Sequence, residues 1–184
     1  IAESQLYAGL FGAVAKGSVI KNLTLENVSI TSSTMGSSTS FSGGIVARFA
    51  GDSLLNCEFN GFVRDTNYAA GIAGAILGTS YIGNVRNNGT IEGAYSAGGL
   101  IGIAAQGSST TIKNSVNDGS VSGRDNGGFI GMVYGKVSID SCANNGDVLT
   151  DSAGSSGAFI YGIAKNSTLT SIKTSVNRGH VVSG

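Results

Sequence analysis

Residues 97–121 read AGGLIGIAAQGSSTTIKNSVNDGSV and carry one full copy of a motif that the chain repeats six times. An apolar cluster wrapped in glycine opens the copy. A polar stretch and a short β-prone run follow, and an Asn-Asp-Gly corner leads into Ser-Val. Working outward, the cluster recurs as AGLFG (8–12), GGIVA (43–47), AGIAG (70–74), GGLIG (98–102), GGFIG (127–131) and GAFIY (157–161). The second residue of each, Gly9, Gly44, Gly71, Gly99, Gly128 and Ala158, is spaced by 35, 27, 28, 29 and 30 residues. Self-similarity at a fixed period near 28 marks a solenoid, whose units bury their apolar faces against one another.

A second column keeps the same order. The corner recurs as CEFNG (57–61), VRNNG (85–89), SVNDG (115–119), CANNG (142–146) and SVNRG (175–179), each followed by a β-prone pair. The first repeat carries a degenerate version, LTLENV, ending at Val28. The apolar runs are short, rich in Val and Ile and bounded by glycine, which are strand signals. A helix holding this much glycine would lose roughly 1 kcal/mol per glycine relative to alanine. The expected fold is all-β: a parallel β-solenoid (β-helix) of about six coils over residues 1–184, one domain and able to be part of a longer array.

The corner glycines Gly61, Gly89, Gly119, Gly146 and Gly179 are expected at positive φ, with the preceding Asn or Asp supporting the turn. Two-residue hairpins are the other reading of Asn-Gly; the period favours parallel coils. Asn87, Asn117, Asn144 and Asn177 fall in one column and are expected to stack as an asparagine ladder. Inside each apolar cluster two columns run side by side. Leu10, Ile45, Ile72, Leu100, Phe129 and Phe159 form one, and Phe11, Val46, Ala73, Ile101, Ile130 and Ile160 the other. Adjacent strand residues face opposite sides, so a single strand cannot bury both in one core. One column lines the core and the other is covered by a neighbour or left as a mildly apolar surface softened by Gly12, Gly74, Gly102 and Gly131; which is which stays open, and the first column supplies the assembly-face candidates.

Cys57 and Cys142 share a column three coils apart, about 14 Å on a strand spacing of about 4.8 Å. A disulfide needs Cα atoms within roughly 7 Å. Both are expected as unpaired buried thiols.

Composition limits function. Lys and Arg number 11, Asp and Glu 11, and charged residues make up only 12%. Nucleic-acid binding rests on clustered cations and is not expected. No apolar run is long enough for a membrane span, and Ile1 opens no secretory signal. The lone His180 has no neighbouring Cys or carboxylate in sequence with which to build a zinc site. The acidic residues are scattered singly, so the paired carboxylates of glycoside hydrolysis are not visible. The expectation is no enzyme, no cofactor and no metal, with catalysis on a solenoid groove the lesser alternative. Four sequons, at Asn22, Asn27, Asn88 and Asn166, are glycosylation candidates, and the stretch TSSTMGSSTS (31–40) could carry O-glycans.

The strings GLFG, GIVA, GIAG, GLIG and GFIG, followed by NxGxV corners, resemble the GLUG-motif repeats, in which U is a bulky apolar residue. The resemblance spans nearly the whole chain. It departs at Ala47 in GGIVA and at Tyr161 in GAFIY. Such repeats occur in extracellular adhesin-like proteins, in some secreted bacterial immunoglobulin-A metallopeptidases and in protist surface proteins. The resemblance implies an outer, non-catalytic β-solenoid at the cell surface or outside the cell. Two functions follow as expectations. One is a structural protein that stacks with copies of itself into a fibre, filament or coat, since both ends read as ordinary coils. The other is an adhesin that binds a glycan or host protein along one face. The second would need a run of exposed aromatics, and the six tyrosines mostly occupy different repeat positions.

Overall fold

The computed structural model describes residues 6–32 and 40–183. The chain is an all-β parallel solenoid of six turns, spanning 6–32, 40–65, 68–93, 96–123, 125–150 and 155–182. Within a turn, the strands of coil three show the plan: Tyr68–Ala70, Ala73–Ile76, Thr79–Gly83, Arg86–Asn87 and the start of Thr90–Gly98, which runs on into coil four. Each strand pairs in parallel with its counterpart one coil away. The second strand of every coil, from Phe11–Val14 to Ile160–Ile163, forms a separate six-stranded sheet; the others form a 17-stranded sheet.

The glycine-wrapped cluster is two strands with a bend between them. In coil two, Ser40–Gly43 ends and Val46–Phe49 begins, with Gly44 and Ile45 turning the chain from one sheet into the other. The alternation rule holds along a strand and lapses at a bend. Both columns therefore point inward: Ile45 with Val46, Ile72 with Ala73, Leu100 with Ile101 and Phe129 with Ile130 have no exposed surface and belong to one core. This corrects the expectation of an outward column. In the inner coils Ile45, Ile72, Leu100 and Phe129 cannot form an assembly face. Phe159 is half-buried on the same core, and only Leu10 stands exposed.

The corner glycines also have a different reason to exist. Gly61, Gly89, Gly119, Gly146 and Gly179 are not at positive φ. A Cβ on Gly89 would lie 2.5 Å from the carbonyl oxygen of Gly61, and those on Gly119, Gly146 and Gly179 would press closer still on the corner glycine one coil before. A side chain there would wedge the coils apart, so the requirement is close approach. The positive-φ positions lie elsewhere: at Gly17, Gly107 and Gly123, and among non-glycine residues in the column Asn22, Asn56, Asn84, Asn114, Ser141 and Thr174, with Asn27 in the first coil. Asparagine tolerates this conformation best among non-glycine residues.

Candidate functional site

The polar ladder lies inside the solenoid. The Asn87 amide Nδ2 donates to Asn117 Oδ1 at 2.7 Å, Asn117 to Asn144 at 2.8 Å, and Asn144 to Asn177 at 2.8 Å. Each amide packs under the bend of its own coil: a Cβ on Gly71, Gly99 or Gly128 would collide with Asn87, Asn117 or Asn144. Bend glycine and ladder asparagine therefore specify each other. A second, exposed ladder was not foreseen. Asn84 Nδ2 donates to Asn56 Oδ1 at 3.1 Å, and Asn56 Nδ2 to Asn22 Oδ1 at 2.9 Å. The signal was present as asparagine one place before the Leu23, Cys57, Val85 and Ser115 column.

Cys57 and Cys142 are free and buried. Burial pushes both thiols up, against the lowering effect of nearby backbone hydrogen bonds. Asp65 is fully buried yet well held: the Ser40 and Ser42 hydroxyls and the Asn67 amide N–H all donate to its carboxylate. His180 has the carboxylate partner that its sequence neighbours lack. Its Nδ1 lies 3.0 Å from Asp147 Oδ1, and its backbone N–H donates to the same oxygen at 2.9 Å. Those bonds hold the Asp147 carboxyl below its usual range. Among the described residues no three His, Cys, Asp or Glu side chains converge on a metal position. Among the described residues no helix is long and apolar enough to cross a membrane.

The sequon asparagines Asn22, Asn27, Asn88 and Asn166 are all exposed. The Asn88 amide nitrogen is engaged by Glu58 at 2.5 Å. Most of TSSTMGSSTS, residues 33–39, lies outside the described residues.

Two surfaces stand out. The first is an aromatic strip on one flank. Tyr7 stacks on Phe41 with ring centroids 6.1 Å apart, Phe41 on Tyr68 at 5.5 Å, and Tyr95 meets Tyr68 edge-on at 5.6 Å. Arg48 lies over Tyr7 and Arg124 over Tyr95, each 5.7 Å from the ring centroid. Ala75, Ile103 and Met132 back the strip as a small cluster outside the main core. Burial, with the Tyr134 and Tyr95 hydroxyls nearby, pushes the Tyr68 phenol up to about 12. The strip escaped sequence reading because loops of unequal length separate Tyr7, Phe41 and Tyr68, and Tyr95 falls one position off the column.

The second surface is the pair of coil ends. Core columns that are fully buried inside terminate in exposed apolar side chains. Leu10 and Phe11 end such columns on the first described coil, and Ile163, Ile172 and Val181 on the last, whereas Val19, Val176 and Val182 stand in outward columns shared with Tyr81, Arg86 and Leu149. Away from those coils, the large apolar side chains that stand exposed are Tyr81, Tyr95, Tyr134 and Leu149.

No family model matches the chain, and no curated protein does. Among solved structures it is similar to the crystal structure of "a putative immunoglobulin A1 protease from Bacteroides ovatus", with a TM-score of 0.74 and 21% identity over 93% of this chain. The match covers 54% of that protein, so this chain spans about half its length. At that identity the likeness establishes the solenoid fold alone.

Proposed function

We propose that this chain is a non-catalytic structural repeat segment of an extracellular or cell-surface protein, assembling coil on coil into a fibre, filament or coat. One observation supports the reading: the core columns run through all six described coils, so each coil buries its apolar side chains against the next, and Leu10, Phe11, Ile163, Ile172 and Val181 of the outermost described coils are exposed. Full burial of one Ile or Phe is worth about 1.5–3 kcal/mol, so an open coil end forgoes several such gains until another coil seats on it. The glycine-cluster resemblance to GLUG repeats and the low charge agree with this setting. Copies of the chain are the proposed partner; nucleic acid and a membrane span have no part in it. Sedimentation velocity of the purified chain, with negative-stain images at high concentration, tests the reading. Elongated assemblies are expected. Dispersed monomers throughout would overturn it.

A second reading has its own observation, the aromatic strip. Interfaces are enriched in Tyr, Phe, Met and Arg, the composition gathered around Tyr68. Beside Tyr134 a groove of about 310 Å³ adds Gln106, Lys136 and Asn166 as polar groups for a glycan. The stacked rings of Tyr7, Phe41 and Tyr68 present edges outward, since their faces cover one another, and this suits a protein surface better than a sugar face. Retention on a glycan array that is lost on Tyr134→Ala would favour the adhesin function.

A further inference from the structure

We infer that the turns joining the second and third strands build a subsite for one acidic sugar residue, held over Tyr134 between the turns of coils four and six. The inference rests on the recognition reading above and gives it a ligand class and a place.

The site follows from unequal turn lengths. After the second strand, coils four and six turn through residues 105–108 and 164–167, whereas coil five crosses in 134–135 alone. Each long turn is closed by its own hydrogen bond. The Ser108 N–H donates to the Ala105 carbonyl at 3.0 Å, and the Ser167 N–H to that of Ala164 at 2.9 Å. The short turn is pinned to coil four instead: the Tyr134 N–H donates to the Ala104 carbonyl and the Lys136 N–H to that of Ser108, both at 2.8 Å. Two turns therefore project, and the one between them is recessed. Coils four and six lie about 10 Å apart, twice the strand spacing, so the notch is one layer wide. That admits a single ring or an extended chain and excludes a helix, whose diameter is about 10 Å.

The lining has the mixture a sugar needs. Two hollows, of about 310 and 290 Å³, share Gln106, Tyr134 and Asn166. The exposed Tyr134 ring supplies apolar surface for the C–H groups of a sugar, and the two amides supply donors and acceptors for its hydroxyls. Charge then chooses among sugars. Lys136 lines one hollow and Lys165 the other, and no Asp or Glu lines either. The carboxylate or sulfate of an acidic sugar answers those ammonium groups. Side-chain carboxylates of a peptide would answer the lysines too, but the aromatic and amide lining suits a hydroxyl-covered ring better.

A buried group at the same place lacks a partner. Ser108 Oγ has no hydrogen bond, although the equivalent hydroxyl two coils on, that of Ser167, donates to the Val133 carbonyl at 2.9 Å. The Ser108 hydroxyl lies instead against Gly135 of the notch, where an added Cβ would come within 2.3 Å of it. The wider gap between the long turns of coils one and four is the contrast. It holds about 590 Å³, but its Lys16 shares the space with Asp52, and no aromatic side chain lines it.

The test is a glycan array probed with the full 184-residue chain, made in a bacterial host without N-glycosylation so that Asn166 carries no glycan. Uronic, sialic and sulfated sugars are displayed beside their neutral counterparts, with polyglutamate as an acidic peptide, and hits are titrated by calorimetry. Retention is expected on acidic sugars. Tyr134→Ala should weaken it roughly tenfold and Lys136→Gln roughly fivefold, while Lys16→Gln in the contrasting gap should leave it unchanged. All three side chains are exposed, so circular dichroism should not move. Equal retention of acidic and neutral sugars, or binding that Lys136→Gln and Lys165→Gln both leave unchanged, would overturn the acidic subsite while recognition stands. Polyglutamate bound more tightly than every sugar would overturn the sugar in favour of a peptide. A chain that retains no glycan and no peptide would overturn the recognition reading and this subsite with it.

Discussion

Coils two and three fill the same space beneath the bend with opposite chemistry. In coil two Phe59 occupies it, and a Cβ on Gly44, Gly61 or Gly89 would fall at or within 3.0 Å of the ring. In coil three the equivalent position is Asn87, bonded onward to Asn117. Both side chains are fully buried. The difference shows that the bend specifies a volume, which an aromatic ring fills alone and an amide fills only in company. An isolated buried amide would be unsatisfied, whereas each interior ladder member has a donor on one side and an acceptor on the other. The first two coils (Leu25, Phe59) need no partner in this column; the last four do.

The largest effect should come from emptying the column. Phe59→Ala is expected to cost about 3–5 kcal/mol in urea unfolding followed by circular dichroism, the usual range for a buried phenylalanine. Phe59→Asn should regain only part of that loss: its amide can donate to Asn87 Oδ1 as Asn87 does to Asn117, but the smaller side chain leaves much of the ring's volume empty. A Phe59→Asn chain as stable as the parent would break the comparison outright.

Cutting the ladder comes next. Asn117→Leu leaves the Asn87 amide without its acceptor, the Asn144 oxygen without its donor, and the Gly119 carbonyl without the 3.0 Å bond it receives. At about 1–3 kcal/mol for each stranded buried group, partly offset by relaxation, a loss of about 2–4 kcal/mol is expected. The two substitutions sharpen the contrast: an apolar side chain of the kind coil one uses should be damaging in coil four.

Why the ladder was legible and the bend was not follows from the same geometry. Asparagine recurring before glycine at a fixed period implies stacking whatever the backbone does locally. The doubled apolar columns were misjudged because GGLIG looks like one strand, and only a bend at Gly99 and Leu100 lets Leu100 and Ile101 both face inward. Positive φ falls not at the corner glycines but at Asn56, Asn84 and Asn114, one place before the cysteine column, and at Gly17, Gly107 and Gly123. The aromatic strip depends on loop lengths that no short motif encodes.

A smaller effect should follow at the cysteine column, where polar and apolar residues interchange freely. Cys142 Sγ lies 3.2 Å from the Asp140 carbonyl oxygen, and one coil earlier the Ser115 hydroxyl donates to the equivalent Lys113 carbonyl at 2.8 Å. Cys142→Ser therefore inherits a ready acceptor and should cost about 1 kcal/mol or less, against 1–3 for an unpaired buried hydroxyl. A loss above 2 kcal/mol would mean the column discriminates by volume, as the Phe59 position does.

The smallest difference between inner and outer coils should appear on acidification. The Asp147 carboxyl is held below its ordinary value chiefly by the His180 backbone N–H, then by the His180 ring. A carboxylate with a lowered folded-state value contributes stability above the unfolded carboxylate range near pH 4, and that contribution is lost as pH falls through the lowered value. Because the pair is exposed and joins only the last two coils, its loss should loosen coil six and leave the inner coils untouched. Hydrogen exchange at acid pH should show Val181 and Val182 losing protection relative to Val121, and Asp147→Asn should abolish that pH dependence. Equal loss in both places would show that the last coil is no more independent than those buried between neighbours.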